Sequence, residues 1–332
     1  MFIKRIKKYS FLDKIMPMNY NNAKELIEKS SYITIVGHIN PDPDTLGSGL
    51  GLWWVLKKLQ KRVDAVYVSR PLPQFLSWMP GFDKIKSAIS DKTDLIISVD
   101  CGSFDRLGID IPLGVKLINI DHHQSNSNYG DINIIEPEFA SASEVVYKLV
   151  SISKWPMPKE AAENFYTALV SDTGFFSYEG VDKRVFEFAK ELIEYGVKPD
   201  VIARNLKENE PLSKLRLLPL ALQTLKLYLN AKVAGLEVTQ KMFEQSGATV
   251  NDTDDLVNYA RSLATVEVGF LIREESDGSL KVSLRSKNYV NVSKIAESFG
   301  GGGHVRAAGY TVRNITKDNL VNCLLDKITK EL

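Results

Sequence analysis

Short apolar, β-branched runs alternate with longer helical patterns through the first two hundred residues. Tyr32-Ile33-Thr34-Ile35-Val36 runs into Gly37 and reads as a buried strand. Residues 63–68, 95–100 and 116–121 repeat the pattern as three further strands. Between and after them, residues 46–59, 142–152, 159–170 and 183–195 have helical length and spacing, and residues 1–31 read as a helical lead-in. Apolar strands alternating with helices predict a parallel sheet with helices on both faces. The pattern changes after about Gly196. Residues 209–228 read as one leucine-rich helix containing Pro211 and Pro219. Strand-like segments follow at 232–238, 265–273 and 280–285, then a helix near 292–299, a run of four glycines and a strand at 309–312. The expectation is an α/β fold with a parallel-sheet domain over 1–205, a linker helix over 206–230 and a smaller α/β domain over 231–332.

Composition narrows the classes. The 332 residues suggest two domains, and 44% hydrophobic with 25% charged residues is ordinary globular usage. Lys plus Arg number 42 against 41 Asp plus Glu, so bulk charge does not favour holding a long nucleic-acid duplex. Two cysteines, Cys101 and Cys323, give neither a disulfide framework nor zinc-ligand spacing. No apolar run approaches the roughly 20 residues of a membrane span, and the basic N-terminus (Lys4, Arg5, Lys7, Lys8) lacks the apolar stretch of a signal peptide. These residues read as a solvated helix face. The expectation is a cytoplasmic protein without a membrane span, with homodimerisation left open.

The chemistry concentrates where strands end. Gly37-His38-Ile39-Asn40-Pro41-Asp42-Pro43-Asp44, Val99-Asp100 and Asp121-His122-His123 each follow a predicted strand; Ser171-Asp172-Thr173-Gly174 follows a helix. Strand carboxyl ends in an open parallel sheet share one crevice, so segments distant in sequence can converge. Asp42, Asp44, Asp100 and Asp172 brought together would repel one another or take up protons. Two divalent cations would cancel the four charges. Oxygen donors with the nitrogens of His38 and His122 suit Mn²⁺, Mg²⁺ or Fe²⁺. Paired ions of this kind lower the pKa of water from 15.7 toward ~7, which favours in-line hydrolysis of a phosphate ester.

Each residue taken singly also has a structural explanation. His38 could be a core histidine, Asp42 or Asp44 a helix cap, Asp121 a turn residue and Asp172 part of an Asx turn. Those readings weaken together, because three of the four histidines stand beside aspartates at strand ends. Gly47-Ser48-Gly49 allows two readings equally: phosphate at a helix N-terminus, or close helix packing. In the C-terminal part, glycines Gly301, Gly302 and Gly303 lead into His304 and could form an anion-binding nest. Arg285 follows a strand and offers a planar fork for phosphate. Arg285, these glycines and His304 are expected to be the substrate-holding half of a cleft.

GHINPDPDTLGS, Val99-Asp100, Asp121-His122-His123 and Ser171-Asp172-Thr173-Gly174 resemble the four motifs of the DHH phosphoesterase superfamily. Residues 281–309, KVSLRSKNYVNVSKIAESFGGGGHVRAAG, resemble the DHH-associated C-terminal domain with its GGGH signature. The likeness spans about 20–330 and is greatest to the stand-alone, RecJ-like group of bifunctional oligoribonucleases and pAp phosphatases. It implies that His38, Asp42 and Asp100 bind one metal and that Asp44, Asp100, His122 and Asp172 bind the other, with Asp100 bridging. It further implies that His123 contacts the scissile phosphate or assists the leaving oxygen, that Asp121 orients a histidine, and that Arg285 and His304 grip the rest of the substrate. One position departs from the pattern: Pro43 stands between the first two aspartates where the family usually carries glycine, and a loop needing φ > 0 there would be altered.

The function expected is two-metal hydrolysis, Mn²⁺ foremost, of short oligoribonucleotides and 3′-phosphoadenosine 5′-phosphate (pAp). The alternatives are a linear or cyclic dinucleotide phosphodiesterase, a pyrophosphatase, or a catalytically weak nucleotide-binding regulator.

Overall fold

A computed structural model describes residues 18–69, 71–253 and 255–332. Lys4, Arg5, Lys7 and Lys8 lie outside the described residues. The chain divides into two compact units, Met1–Glu208 and Asn209–Leu332.

In the first unit, α1 (Met18–Lys29) leads into β1 (Tyr32–Val36), α2 (Pro43–Lys58), β2 (Arg62–Val66), β3 (Leu95–Val99), β4 (Lys116–Asp121) and β5 (Ile132–Ile135). Helices α3 (Ala142–Ser153), α4 (Lys159–Asp172), α5 (Lys183–Glu194) and α6 (Pro199–Lys207) follow. The five strands pair in parallel in the order β2-β1-β3-β4-β5. The chain therefore steps from β1 to one side and then back across to β3. The reversal point, where ligands gather in open α/β sheets, falls between β1 and β3. Ile33, Ile35, Ala65, Ile97 and Ile118 face a core shared with Leu50 and Leu56 of α2, Val145 of α3 and Phe165 of α4. The opposite face carries Val36, Val66, Ile96 and Leu117. There the expected helical cover consists of Leu107, from the 3₁₀ turn Phe104–Leu107, with Ile109, Ile111 and Tyr129 from nearby loops. The β3–β4 connection holds Gly108, Pro112 and Gly114, which interrupt any longer helix.

Helix α2 begins three residues before the apolar pattern does. Asp42 is its N-cap: the Thr45 N–H donates to Asp42 Oδ1 at 2.9 Å. Pro43 occupies the first helical position, where its missing N–H costs nothing and its fixed φ suits the helix. Asp42 is extended (φ −93°, ψ −178°), the conformation a following proline favours. No positive φ is needed at Pro43, so the departure from glycine is accommodated. Gly47 has the packing explanation: a Cβ there would come within 2.5 Å of the Asn164 carbonyl oxygen on α4. Strand β5 and helix α6 had no counterpart in the sequence pattern. The first is a four-residue edge strand and the second buries only Ile202, so neither leaves a long apolar signal.

The second unit opens with α7 (Leu212–Leu222) and β6 (Lys226–Tyr228), where one helix was expected over 209–228. Pro211 caps α7 and Pro219 lies inside it; with Pro219 unable to donate to a preceding carbonyl, the helix ends three residues later. Then come β7 (Val233–Val238), α8 (Gln240–Ser246), α9 (Leu256–Ser262), β8 (Val268–Glu274), β9 (Leu280–Ser286), α10 (Val292–Glu297), β10 (Gly302–His304), β11 (Ala307–Val312) and α11 (Lys317–Thr329). The mixed sheet runs β10-β11-β9-β8-β7-β6, with β7 and β8 parallel and the other neighbours antiparallel. One face packs Phe270, Val282 and Leu284 against Ile295 of α10 and Leu320 and Leu324 of α11. The other packs Leu236 and Leu271 against Leu217 of α7 and Val257 of α9.

Candidate metal centre

Strands β1, β3 and β4 are neighbours, so the residues just beyond their carboxyl ends meet. His38 lies two residues past β1, Asp100 one residue past β3, and Asp121 closes β4 ahead of His122 and His123. Helix α2 brings Asp42 and Asp44 to the same place from its N-terminus. Asp172 comes from the last position of α4. The four sequence segments singled out for Asp and His therefore converge.

Two groups of donors are brought together. His38 Nε2 is 3.9 Å from Asp42 Oδ2 and 3.7 Å from Asp100 Oδ2. His122 Nε2 is 3.7 Å from Asp44 Oδ2, 3.7 Å from Asp100 Oδ1 and 3.4 Å from Asp172 Oδ2. Asp100 thus turns one oxygen to each group. Its backbone is left-handed (φ 52°), a strained conformation for a residue without glycine's freedom, and its N–H donates to the Ile120 carbonyl across to β4.

The second nitrogen of each imidazole is occupied. His38 Nδ1 lies 2.7 Å from the Ile39 carbonyl and His122 Nδ1 lies 3.1 Å from that of Phe139. Donation to those carbonyls leaves both Nε2 atoms with a lone pair toward the carboxylates, the arrangement expected of metal-ligating histidines. His123 differs. Its Nδ1 bonds to Asp121 Oδ1 at 2.7 Å, and the fully buried Asp121 also accepts from the His122 N–H (2.8 Å) and from Asn126 Nδ2 (2.6 Å). His123 is 17% exposed, against 6% for His122.

The electrostatics demand cations. Asp100 is pushed well above the usual carboxylate range by burial and by the neighbouring Asp44 and Asp42. Burial raises Asp172 to about 8, with Asp44 adding to the shift against the opposing pull of His122. Asp172 also sits at the negative end of α4, where a carboxylate is unfavourable. Asp44 is raised by burial, although Ala142 and Ser143 at the start of α3 donate their N–H groups to it. Asp42 differs: its side chain is 53% exposed, and His38 and the Thr45 donors hold it low against the desolvation of the crowded centre. Burial lowers His38, whereas Asp172 and Asp44 outweigh burial at His122 and raise it. Buried carboxylates facing imidazole nitrogens fit divalent cations, which would replace the protons these acids otherwise retain.

Sequence reasoning missed Thr45. Its Oγ1 lies 2.6 Å from His38 Nε2, 2.6 Å from Asp100 Oδ2 and 3.0 Å from Asp42 Oδ1, and its carbonyl accepts from the Tyr67 hydroxyl. The single hydroxyl proton can reach only one of these three groups at a time. Its place directly after Asp44 was the available cue. Asn126 was missed too, since nothing in its polar loop marks it. In the second unit, Arg285 ends near the tip of β9, Gly302, Gly303 and His304 form β10, and Gly301 precedes it. Gly303 (φ 144°) is required by close approach: a Cβ would meet the Ala307 carbonyl oxygen at 2.5 Å.

An open parallel sheet with so charge-dense a centre at its strand reversal fits the class of metal-dependent hydrolases, and its likeness to known proteins places it among the phosphoesterases. Residues 32–169 match the DHH family, N-terminal domain, and residues 230–332 match the DHHA1 domain. The chain belongs to the DHH family. It is 32% identical over 302 residues to the bifunctional oligoribonuclease and PAP phosphatase NrnA of Thermus thermophilus, covering 90% of both chains. To the Bacillus subtilis protein of the same name it is 29% identical over 314 residues, covering 92% of this chain and 98% of that one. Among solved structures, an exopolyphosphatase-related protein from Bacteroides fragilis superposes with a TM-score of 0.85 at 28% identity, covering 96% of this chain and 98% of that chain.

Proposed function

We propose that this protein hydrolyses phosphate ester bonds in short oligoribonucleotides and in pAp. The observation that carries the reading is the pair of His–Asp groups sharing Asp100. The names borne by the Thermus and Bacillus relatives support the choice of substrates. His38, Asp42 and Asp100 would hold one divalent cation, and Asp44, Asp100, His122 and Asp172 the second; Mn²⁺ suits the mixed oxygen and nitrogen donors. When bound, such ions supply charge neutralisation at the phosphoryl oxygens and activation of water. The chain's own groups do the rest. Oriented by its Nδ1 bond to Asp121, His123 would act on the substrate, holding or passing the proton at the leaving oxygen. Asp121 acts through His123 by fixing its tautomer and its ring plane. Arg285, the backbone of Gly301, Gly302 and Gly303, and His304 would hold phosphate or nucleotide away from the scissile bond. Among the described residues no helix is long and apolar enough to cross a membrane, in keeping with action on dissolved nucleotides in the cytoplasm.

The test is a substrate panel of pAp, di- to pentaribonucleotides and pyrophosphate, assayed with Mn²⁺ before and after chelation. Metal-dependent release of AMP from pAp and of mononucleotides from the oligomers is the expected result. Turnover of pyrophosphate alone, or of no nucleotide at all, overturns the proposal.

A further inference from the structure

Outside the metal centre, the most heavily used buried carboxylate is Glu267. It is 4% exposed and stands immediately before β8. Its Oε1 accepts from the N–H groups of Asn288 (3.0 Å), Tyr289 (2.7 Å) and Val290 (3.1 Å). Its Oε2 accepts from the Asn288 N–H at 3.1 Å and from Asn288 Nδ2 at 3.0 Å. Its own backbone is fixed as well: the N–H donates to the Lys232 carbonyl and the carbonyl accepts from the Lys287 N–H, both at 2.8 Å. A single side chain therefore sets three consecutive peptide groups of the loop that follows β9.

The loop is tied in turn to the β10–β11 hairpin. Arg306 Nη1 donates to the Val290 carbonyl at 3.0 Å. The Ser286 N–H donates to the Arg306 carbonyl (3.0 Å), and the Val292 N–H donates to the Val305 carbonyl (2.9 Å). The ladder then lines up a row across the sheet. Gly269 stands opposite Arg285, Arg285 opposite Ala307, and Ala307 opposite His304. Residues in one such row share a face of the sheet, and strands ~4.8 Å apart put the Arg285 and His304 backbones ~10 Å from each other. Two members of the row adjoin the segment that Glu267 holds: Arg285, one residue before the end of β9, and His304, just before the hairpin turn stitched to the loop.

We propose that Glu267 is a positioning residue for substrate, fixing the loop after β9 so that Arg285 and His304 stand in register to grip a phosphate that is not hydrolysed. This rests on the proposed function, because it takes Arg285 and His304 as the substrate-holding groups. Glu267 does not touch substrate. It acts through the peptide groups of residues 288–290, which its charge-assisted hydrogen bonds hold in one conformation.

The test compares Glu267→Gln and Glu267→Asp with the parent protein in the presence of Mn²⁺. The glutamine keeps the shape but turns one acceptor into a donor facing N–H groups. Its KM for pAp rises about tenfold while kcat stays within a factor of two. Hydrolysis of bis(p-nitrophenyl) phosphate, which carries no second phosphate to grip, is unchanged. Binding of pAp measured in chelator weakens by the same factor. Arg285→Ala gives a similar loss, and adding Glu267→Gln to it costs little more. Glu267→Asp, still charged, recovers part of the affinity. An unchanged KM in Glu267→Gln while the parent hydrolyses pAp overturns this inference and leaves the proposed function standing. Equal losses on both substrates also overturn it, since they mark general damage to the fold. A parent protein that neither binds nor hydrolyses pAp overturns both.

Discussion

The two units present opposite electrostatic problems to the same kind of ligand. In the first, burial and crowding at strand ends raise Asp100 and Asp172 above the usual carboxylate range, a strain that divalent cations would relieve. In the second, Arg285 and His304 stand in one row of the sheet with β11 between their strands, and a buried acid, Glu267, is spent on the N–H groups of residues 288–290 and the Asn288 side-chain amide. Burial penalises the charge of Glu267, yet hydrogen bonds from Val290, Tyr289 and Asn288 more than compensate and hold its carboxyl below the ordinary range. Burial alone therefore does not decide a carboxylate's state. Partners set the outcome on top of it: N–H donors outweigh burial and hold Glu267 low, while at Asp100 burial and the neighbouring Asp44 and Asp42 push the same way, upward. Chemistry is expected from the unit left incomplete and recognition from the unit already satisfied.

The contrast breaks most sharply at Asp100. Replacing it with Ala removes a donor from both groups, and turnover of pAp with Mn²⁺ is expected to fall by about 10³-fold or more. Activity equal to the parent's would show that the two groups do not share this residue. Next comes the pH dependence of the metal-free fold. Asp44, Asp100 and Asp172 are raised above their unfolded values, so between about pH 4 and 8 the folded chain binds more protons than the unfolded one, and stability falls as pH rises. His122, also raised, acts in the same direction; His38, lowered, opposes it. The melting temperature in chelator is expected to drop by roughly 5 °C from pH 5 to pH 8, and excess Mn²⁺ to abolish the drop. A chelated protein that melts higher at pH 8 than at pH 5 would contradict the crowding argument.

Arg285→Ala tests the recognition side. The KM for pAp should rise about tenfold with kcat nearly unchanged, read from steady-state rates; a loss confined to kcat would place Arg285 with the chemistry instead. Pro43→Gly should do least. Because Pro43 starts α2 in the conformation that proline prefers, the glycine variant loses up to about 1 kcal/mol of stability in denaturant unfolding and changes turnover less than threefold. A marked gain in activity would mean that the proline restrains the first motif after all.

Much of this could be read from the sequence, and the reasons are physical. β1, β3 and β4 are buried on both faces, so each is mostly apolar with one small or amide polar residue inside (Thr34, Ser98, Asn119), and the acidic and histidine residues of the centre come where each run ends. That is why His38, Asp100 and the Asp121–His123 segment stood out. Asp172 was legible as an acid in a helix-ending Asp-Thr-Gly. Thr45 and Asn126 were not, because a threonine in a first helical turn and an asparagine in a loop have ordinary explanations until their partners, 55 and 5 residues away, are known. Glu267 was hidden for a similar reason: a glutamate beside a strand reads as surface, and only the return of residues 288–290 to its side chain reveals its use. The hairpin β10–β11 was read as a nest because four glycines signal freedom, not the close strand contact that restricts Gly303.

The donors of the metal centre stretch from His38 to Asp172, on three strands and two helices. The group of His38, Asp42 and Asp100 is complete once β3 has been made, whereas the group of Asp44, Asp100, His122 and Asp172 waits for the end of α4. A cation held by the second group would therefore fasten a sheet already assembled, as a clasp closes after its parts are in place.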